Sequence, residues 1–193
     1  MGKGLIIVIT GNGKGKTTSA LGMSLRAIGN GLKVLMIQFL KSSIAYGEIQ
    51  VSLRLNPDFE IIQVGKECVY EEGDKQRYQC TDCAFLCHID PKNPDPGHIQ
   101  AAQNGFRLAE KSIKSGKYNM VILDEINYAV SYNLIKLSEV LRLAKEKPAG
   151  VHLVLTGRNA HLDLIEIADL VTEMKEIKHP FQKGITSIKG IEL

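Results

Sequence analysis

The sequence predicts an α/β fold, a doubly wound, mostly parallel sheet with helices on both faces. Three observations predict it. Short apolar runs alternate with amphipathic stretches, a glycine-rich loop joins the first run to a helix, and a later run ends in two adjacent acids. Alternation of this kind builds βαβ units, and open sheets made from them bind ligand at the carboxyl ends of their strands. A chain of 193 residues, 44% hydrophobic and 23% charged, suits a single domain, residues 1–193, with a substantial core.

Leu5–Thr10 reads as the first strand, because Leu5-Ile6-Ile7-Val8-Ile9 is an unbroken apolar run. Gly11-Asn12-Gly13-Lys14-Gly15-Lys16-Thr17-Thr18 follows at once and leads into the apolar helical stretch Ala20–Ile28. A glycine-rich turn in that context is a phosphate-binding loop. Glycines let successive backbone N–H groups turn inward, the helix presents its positive N-terminal end, Lys16 supplies a mobile charge, and the Thr17 hydroxyl can ligate a phosphate-bound Mg²⁺. The usual spacing is Gly, four residues, then Gly-Lys-Ser/Thr; here only Asn12, Gly13 and Lys14 separate Gly11 from Gly15, so the loop is one residue short. A glycine-rich turn with incidental lysines is the plain alternative, and the flanking strand and helix argue against it.

The helix runs to about Asn30, Gly31 ends it, and Val34–Phe39, apolar except for Gln38, is a strand buried on both faces. Phe59–Val64 is the third strand. Residues 65–97 then lose periodicity and hold all four cysteines, the charged run Glu71–Lys75 and Pro91, Pro94 and Pro96, as an inserted, loop-like segment does. From Ile99, the positions Ile99, Ala102, Phe106, Ala109 and Ile113 form one helical stripe. Met120-Val121-Ile122-Leu123 is a buried strand ending in Asp124-Glu125, Leu137–Lys147 is a helix closed by Pro148 and Gly150, and Val151–Leu155 is a strand leading to Thr156-Gly157-Arg158. His161–Ala168 is a last short helix. Val171–Ile177 and Thr186–Ile191 are expected to close the sheet as an antiparallel pair through Gln182-Lys183-Gly184.

Composition limits the partners. The formal charge of +3 is small and the lysines are scattered, which fits a solvated surface with one anion site and not a nucleic-acid face. No apolar stretch reaches membrane-spanning length, and Leu5–Ile9 is too short for the core of a secretion signal. A cytoplasmic protein, without membrane or nucleic acid, is therefore expected.

Asp124 and Glu125 fall at the strand edge that faces the loop, a Walker-B-like arrangement in which a carboxylate holds Mg²⁺ opposite Thr17. A charged strand end facing solvent is the alternative. These parts serve many reactions. A regulatory GTPase is disfavoured, because no Asn-Lys-x-Asp element is present. A phosphotransferase resembling thymidine kinase, with a metal-bound lasso, and a nucleotide-switched, metal-containing binding module remain as second and third readings.

The segments Ile9–Thr18, Arg26-Ala27-Ile28-Gly29, Val34–Phe39, Val121–Tyr128, Leu155-Thr156-Gly157-Arg158 and Lys178-His179-Pro180-Phe181 together resemble the ATP:corrinoid adenosyltransferases. That resemblance covers nearly the whole chain outside residues 65–97. It implies a P-loop NTPase (RecA-like) core and transfer of the 5′-deoxyadenosyl group of ATP to the cobalt of a reduced corrinoid, releasing triphosphate, in cobalamin biosynthesis or salvage. It also implies a homodimer, Mg²⁺, an electron donor or reductase, and ATP lying in reversed orientation on the short loop. By motif, Gly11–Thr18 carry over to ATP, and Thr17, Glu125 and Asp124 to Mg²⁺; Lys16, Thr17 and Glu125 are the catalytic set. Arg26 and Arg158 carry over to phosphate, with a surface or dimer ion pair as the alternative for each. Tyr128 and Tyr132 are placed near corrinoid or adenine, with core packing as the alternative. Two features depart from the pattern: the first strand starts four residues in, without the N-terminal lid that relatives can carry, and Tyr70 is the only aromatic between residues 66 and 72, where relatives place bulky ones against the corrinoid.

Cys68, Cys80, Cys83 and Cys87 lie within one stretch, followed by His88 and, further on, His98. In a reducing compartment such clustering fits a structural zinc or an iron–sulfur cluster, with either histidine as a substitute ligand, better than disulfides. Free thiols are the alternative.

Overall fold

The computed structural model describes residues 2–41, 46–66, 89–90, 92–184 and 188–191. Six strands, β1 (Ile6–Thr10), β2 (Val34–Phe39), β3 (Phe59–Val64), β4 (Met120–Asp124), β5 (His152–Thr156) and β6 (Leu170–Glu173), form one sheet in the order β3-β2-β4-β5-β1-β6. Every neighbouring pair is parallel. Among the described residues, six helices connect them: α1 (Lys16–Gly29), α2 (Gly47–Leu55), α3 (Pro96–Lys114), α4 (Ile126–Ser131), α5 (Leu137–Glu146) and α6 (Leu162–Ile167).

Side-chain alternation along the strands divides the core in two. Val8, Leu35, Ile37, Phe39, Val121, Leu123, Leu153 and Leu155 point to one face and are buried with Phe106 and Ile113 of α3, Val140 and Leu143 of α5 and Leu164 of α6. The intervening residues Ile7, Ile9, Met36, Ile122 and Val154 point to the other face and meet Ala20 and Ala27 of α1. Because both faces are covered, central strands such as β2 are buried at all six positions, as their continuous apolar runs require. A parallel sheet sets all its carboxyl ends at one edge, and β1, β2, β4 and β5 there deliver Gly11, Lys41, Glu125 and Gly157.

The expected antiparallel closure is not what forms. The chain enters β6 after crossing in α6, so β6 runs parallel to β1, with Val8 opposite Val171. Pro180–Lys183 is a 3₁₀ turn, and residues 188–191 contain no strand. Pairing with β1 ends at Glu173, and Pro180, which has no N–H to give a ladder, starts the 3₁₀ turn seven residues later. The long helix also starts earlier than the proline content of its approach indicates. Asp95 caps α3 by accepting from the Gly97 N–H at 2.7 Å, and Pro96 sits in the first turn, where a missing N–H costs nothing. Lys66, just past β3, and Asp95 pair at 3.3 Å, so the end of β3 and the start of α3 lie side by side.

Helix α2 had no counterpart in the sequence pattern. Its apolar residues Ile49, Val51, Leu53 and Leu55 fall at every second position, a strand-like period, and only Ser52 is buried. Cys68, Tyr70, Cys80, Cys83, Cys87 and His88 lie outside the described residues, and the expectations resting on them are neither met nor contradicted by the fold.

Candidate functional site

The glycine-rich loop needs its glycines for two separate reasons. Gly11 and Gly15 have φ of 98° and 106°, in the left-handed region. Gly13 has no such φ, but a Cβ there would lie 2.8 Å from the Met174 oxygen and the Lys175 carbonyl carbon. The segment after β6 lies directly against the loop. Its Met174 carbonyl accepts the Gly13 N–H at 2.6 Å, and the Met174 N–H donates to Thr10 at 2.7 Å. Lys16 spans the loop from inside, donating to the carbonyls of Gly11 (2.9 Å) and Gly13 (2.8 Å). Burial pulls the Lys16 ammonium below its usual range and Arg158 adds to this, against the attraction of Glu125 and Asp124. Asn12, Lys14 and Thr18 are exposed, and Lys14 and Thr18 line the same cleft as Lys16 and Thr17.

Asp124 is fully buried and is the hub of the strand ends. Its Oδ1 accepts from the hydroxyls of Thr17 (2.9 Å) and Thr156 (2.7 Å), while its Oδ2 accepts from Lys41 Nζ at 2.9 Å. Strand register explains the convergence: Gln38 of β2 stands opposite Asp124 of β4, which places Lys41, just past β2, over the carboxylate. Thr156 also accepts the Glu125 N–H at 3.0 Å and so ties the ends of β4 and β5 together. Beside Lys41, Tyr46 turns its ring to the ammonium at 5.1 Å, and Glu48 of α2 lies at 4.0 Å.

Glu125 occupies a left-handed turn at φ 62° between β4 and α4, an uncommon conformation for a residue with a Cβ. That turn carries its carboxyl to the loop side. Its Oε2 is buried with no hydrogen-bond partner among the described residues. Burial pushes the Glu125 carboxyl up, Asp124 adds to the effect, and Lys41, Lys16 and Arg158 oppose it. Such an oxygen is suited to a hard cation, and the Thr17 hydroxyl, having donated its proton to Asp124, keeps its lone pairs for the same purpose. The oxygen donors present therefore fit Mg²⁺.

Loop, Lys41, Glu48 and Glu125 line one cleft of about 1060 Å³ whose floor is Leu21, Leu25, Val51, Leu55 and Phe59, between α1 and α2. Arg158, half-buried after Gly157, is close enough to act on the charges of both Lys16 and Glu125. Tyr128 and Tyr132 form a half-buried aromatic pair at 5.2 Å between ring centres, on the Glu125 side. The structure thus assembles the loop, Asp124, Glu125, Arg158 and the tyrosine pair. It does not bring Arg26 to them. Arg26 is exposed in the last turn of α1, ten residues and so about 15 Å along the helix from Lys16, because a helix carries a residue away from its N-terminus at a fixed rise. Lys41, Tyr46, Glu48, Thr156 and Met174 belong to the site and had no assigned part; the polar Gln38 inside a buried strand was the available signal for the first three. His98 is buried in the first turn of α3. Among the described residues there is no cluster of His, Cys, Asp and Glu arranged to hold a metal ion, and no helix long and apolar enough to cross a membrane.

The family model ATP:corrinoid adenosyltransferase BtuR/CobO/CobP matches residues 2–193. A corrinoid adenosyltransferase from Sinorhizobium sp. is 40% identical over 98% of this chain and 80% of its own. Proteins of the same name from Pseudomonas aeruginosa and Escherichia coli K12 are 34% and 32% identical, each over 98% of this chain, covering 84% and 86% of their own.

Proposed function

The chain belongs to the BtuR/CobO/CobP family of ATP:corrinoid adenosyltransferases, and from that premise we propose how its site carries the reaction. The enzyme transfers the 5′-deoxyadenosyl group of ATP to the cobalt of a reduced corrinoid. A carbon–cobalt bond forms at C5′, the C5′–oxygen bond breaks, and its electron pair leaves with the triphosphate. No protein nucleophile is needed, since reduced cobalt attacks by itself. The protein must hold the reactants in line, exclude water and stabilise charge on the departing oxygen.

Gly11–Thr18 take the triphosphate in this reading. Lys16 supplies the cation closest to the loop, and Arg158 a second from the opposite strand end. Thr17 and Glu125 hold Mg²⁺, with Asp124 orienting the Thr17 hydroxyl. When bound, Mg²⁺ adds positive charge at the leaving group. The observation that carries the assignment is the buried Glu125 oxygen, without a partner among the described residues, in the same cleft as Lys16 and Thr17. Strand β5 standing between the loop strand β1 and the acidic strand β4 supports a RecA-like P-loop core. Tyr128 and Tyr132 offer an apolar wall beside Glu125 for corrinoid or adenine. Arg26 is better read as a surface or partner contact, in view of its distance from the loop.

We further read Cys68, Cys80, Cys83 and Cys87 as ligands of one zinc ion or iron–sulfur cluster, on their spacing alone, and Tyr70 in the same segment as a corrinoid contact. A cytoplasmic homodimer supplied with electrons by a separate reductase completes the proposal. The test is the identity of the phosphate product from ATP, Mg²⁺ and chemically reduced corrinoid. Triphosphate is expected, and Lys16→Ala should form it at least about tenfold more slowly, since a charge-assisted contact is worth about 1.5–3 kcal/mol. Undiminished turnover of that variant at saturating ATP would show that the loop does not stabilise the departing triphosphate.

A further inference from the structure

The ion pair between Lys41 and Asp124 is an interaction at the site that the adenosyl transfer itself does not explain. The Lys41 backbone is fixed, since Leu40 before it is left-handed at φ 64° and a Cβ on Gly65 would lie 2.7 Å from the Lys41 carbonyl. Its side chain is 17% exposed and ends 2.9 Å from an Asp124 oxygen that is wholly buried. At that distance the ammonium and the carboxylate form a direct ion pair. With Thr17 and Thr156 on its other oxygen, Asp124 has a full set of donors within the protein itself. Carboxylate charge is what draws a divalent cation into a protein site, and here a fixed cation already neutralises it.

We propose that Lys41 is a positioning residue that acts as the built-in counter-ion of Asp124, so that the divalent cation is captured only together with the triphosphate and not by the free protein. The inference rests on the Mg²⁺ reading above. The triphosphate brings the missing negative charge, and with Thr17 and Glu125 it provides enough oxygen ligands without Asp124 entering the coordination sphere. Tyr46 and Glu48 give the ammonium stem and head a defined place in the cleft wall throughout. Metal entry is thereby coupled to nucleotide entry, and Asp124 remains free to hold the Thr17 hydroxyl.

Mn²⁺ in place of Mg²⁺ gives the readout, by water-proton relaxation with and without a non-cleavable ATP analogue. Wild type should bind Mn²⁺ weakly alone and tightly with the analogue. Lys41→Met should raise affinity for Mn²⁺ alone by at least about tenfold, because Asp124 is then an unpaired buried carboxylate. Lys41→Arg, which keeps the charge, should return it to the wild-type level. If Lys41→Met does not fold in metal-free buffer, its thermal transition should be restored by Mn²⁺ alone, and absence of that rescue overturns the proposal. Unchanged or weaker Mn²⁺ binding by folded Lys41→Met, while wild type still binds the Mn²⁺–analogue complex, overturns the counter-ion role and leaves the metal site standing. No protein-bound Mn²⁺ in wild type under either condition overturns the metal site and the counter-ion role together.

Discussion

Replacing Gly13 by alanine tests the loop at a point where conformational freedom is not the issue. The residue has no left-handed φ, so the only obstacle is contact: the new methyl would lie 2.8 Å from the Lys175 carbonyl carbon and the Met174 oxygen, and 2.9 Å from the Lys175 oxygen. All three are backbone atoms. They cannot rotate aside as a side-chain tip would, and moving them breaks the 2.6 Å bond from the Gly13 N–H to Met174. Overpacking costs about 1–3 kcal/mol and the lost hydrogen bond about 0.5–1.5 kcal/mol. If about 2–3 kcal/mol of this falls on the loop shape that binds nucleotide, the Kd for ATP rises about 30- to 150-fold. Calorimetric titration of ATP into the Gly13→Ala protein measures this directly. Gly29→Ala is the matched control, because nothing lies within 4 Å of its built Cβ and the helix gains a better former. It should bind ATP as wild type does. An unchanged Kd in Gly13→Ala would refute the claim that close approach by the segment after β6 shapes the loop.

Two further outcomes are expected. Glu125 has a carboxyl raised above its unfolded value by burial and by Asp124, so it stabilises the fold only at pH below the unfolded value and loses that contribution as pH rises through the raised one. Without nucleotide or metal, Glu125→Gln should therefore unfold at a higher temperature than wild type near neutral pH, with the gain vanishing on acidification, and its Mg²⁺ titration should lose amplitude; a Tm difference that grows toward acid pH contradicts the assignment. Anaerobically purified protein should contain about one zinc or one iron–sulfur cluster per chain, lost in Cys83→Ser with weaker corrinoid than ATP binding. Elemental analysis that finds no metal, with four titratable thiols, counts against that reading.

What was legible in the sequence was local. The loop, the strand before it and Asp124-Glu125 each declare themselves within a few residues, because glycine spacing and apolar runs are short-range signals. The residues that complete the site come from pairings the sequence does not print. Lys41 meets Asp124 only because β2 and β4 are neighbours in the register Gln38 to Asp124, and Met174 meets Gly13 only because β6 lies beside β1. Helix α2 escaped notice since its apolar residues alternate as in a strand, and the closing hairpin was expected from β-like composition where α6 instead returns the chain in parallel. Arg26, carried to phosphate by motif with a surface or dimer ion pair as its alternative, stands in the last turn of α1, where the helical rise separates it from the loop by an amount that the motif alone does not display.

The bond between Gly13 and Met174 has a consequence for the order in which a growing chain becomes competent. The carbonyl that fixes the shape of the phosphate loop is added roughly 160 residues after the loop itself. At synthesis rates of about 5–20 residues per second, that delay is on the order of 8–32 s. Strand β6, which brings Met174 into place, is also exposed at the edge of the sheet and, among the described residues, pairs only with β1. A partly made chain, or one broken before residue 170, would display every residue of the nucleotide motif and still lack the built loop. The built shape of the loop is therefore a property of the chain through β6 and not of the motif alone, because a motif made early is shaped by a strand made much later.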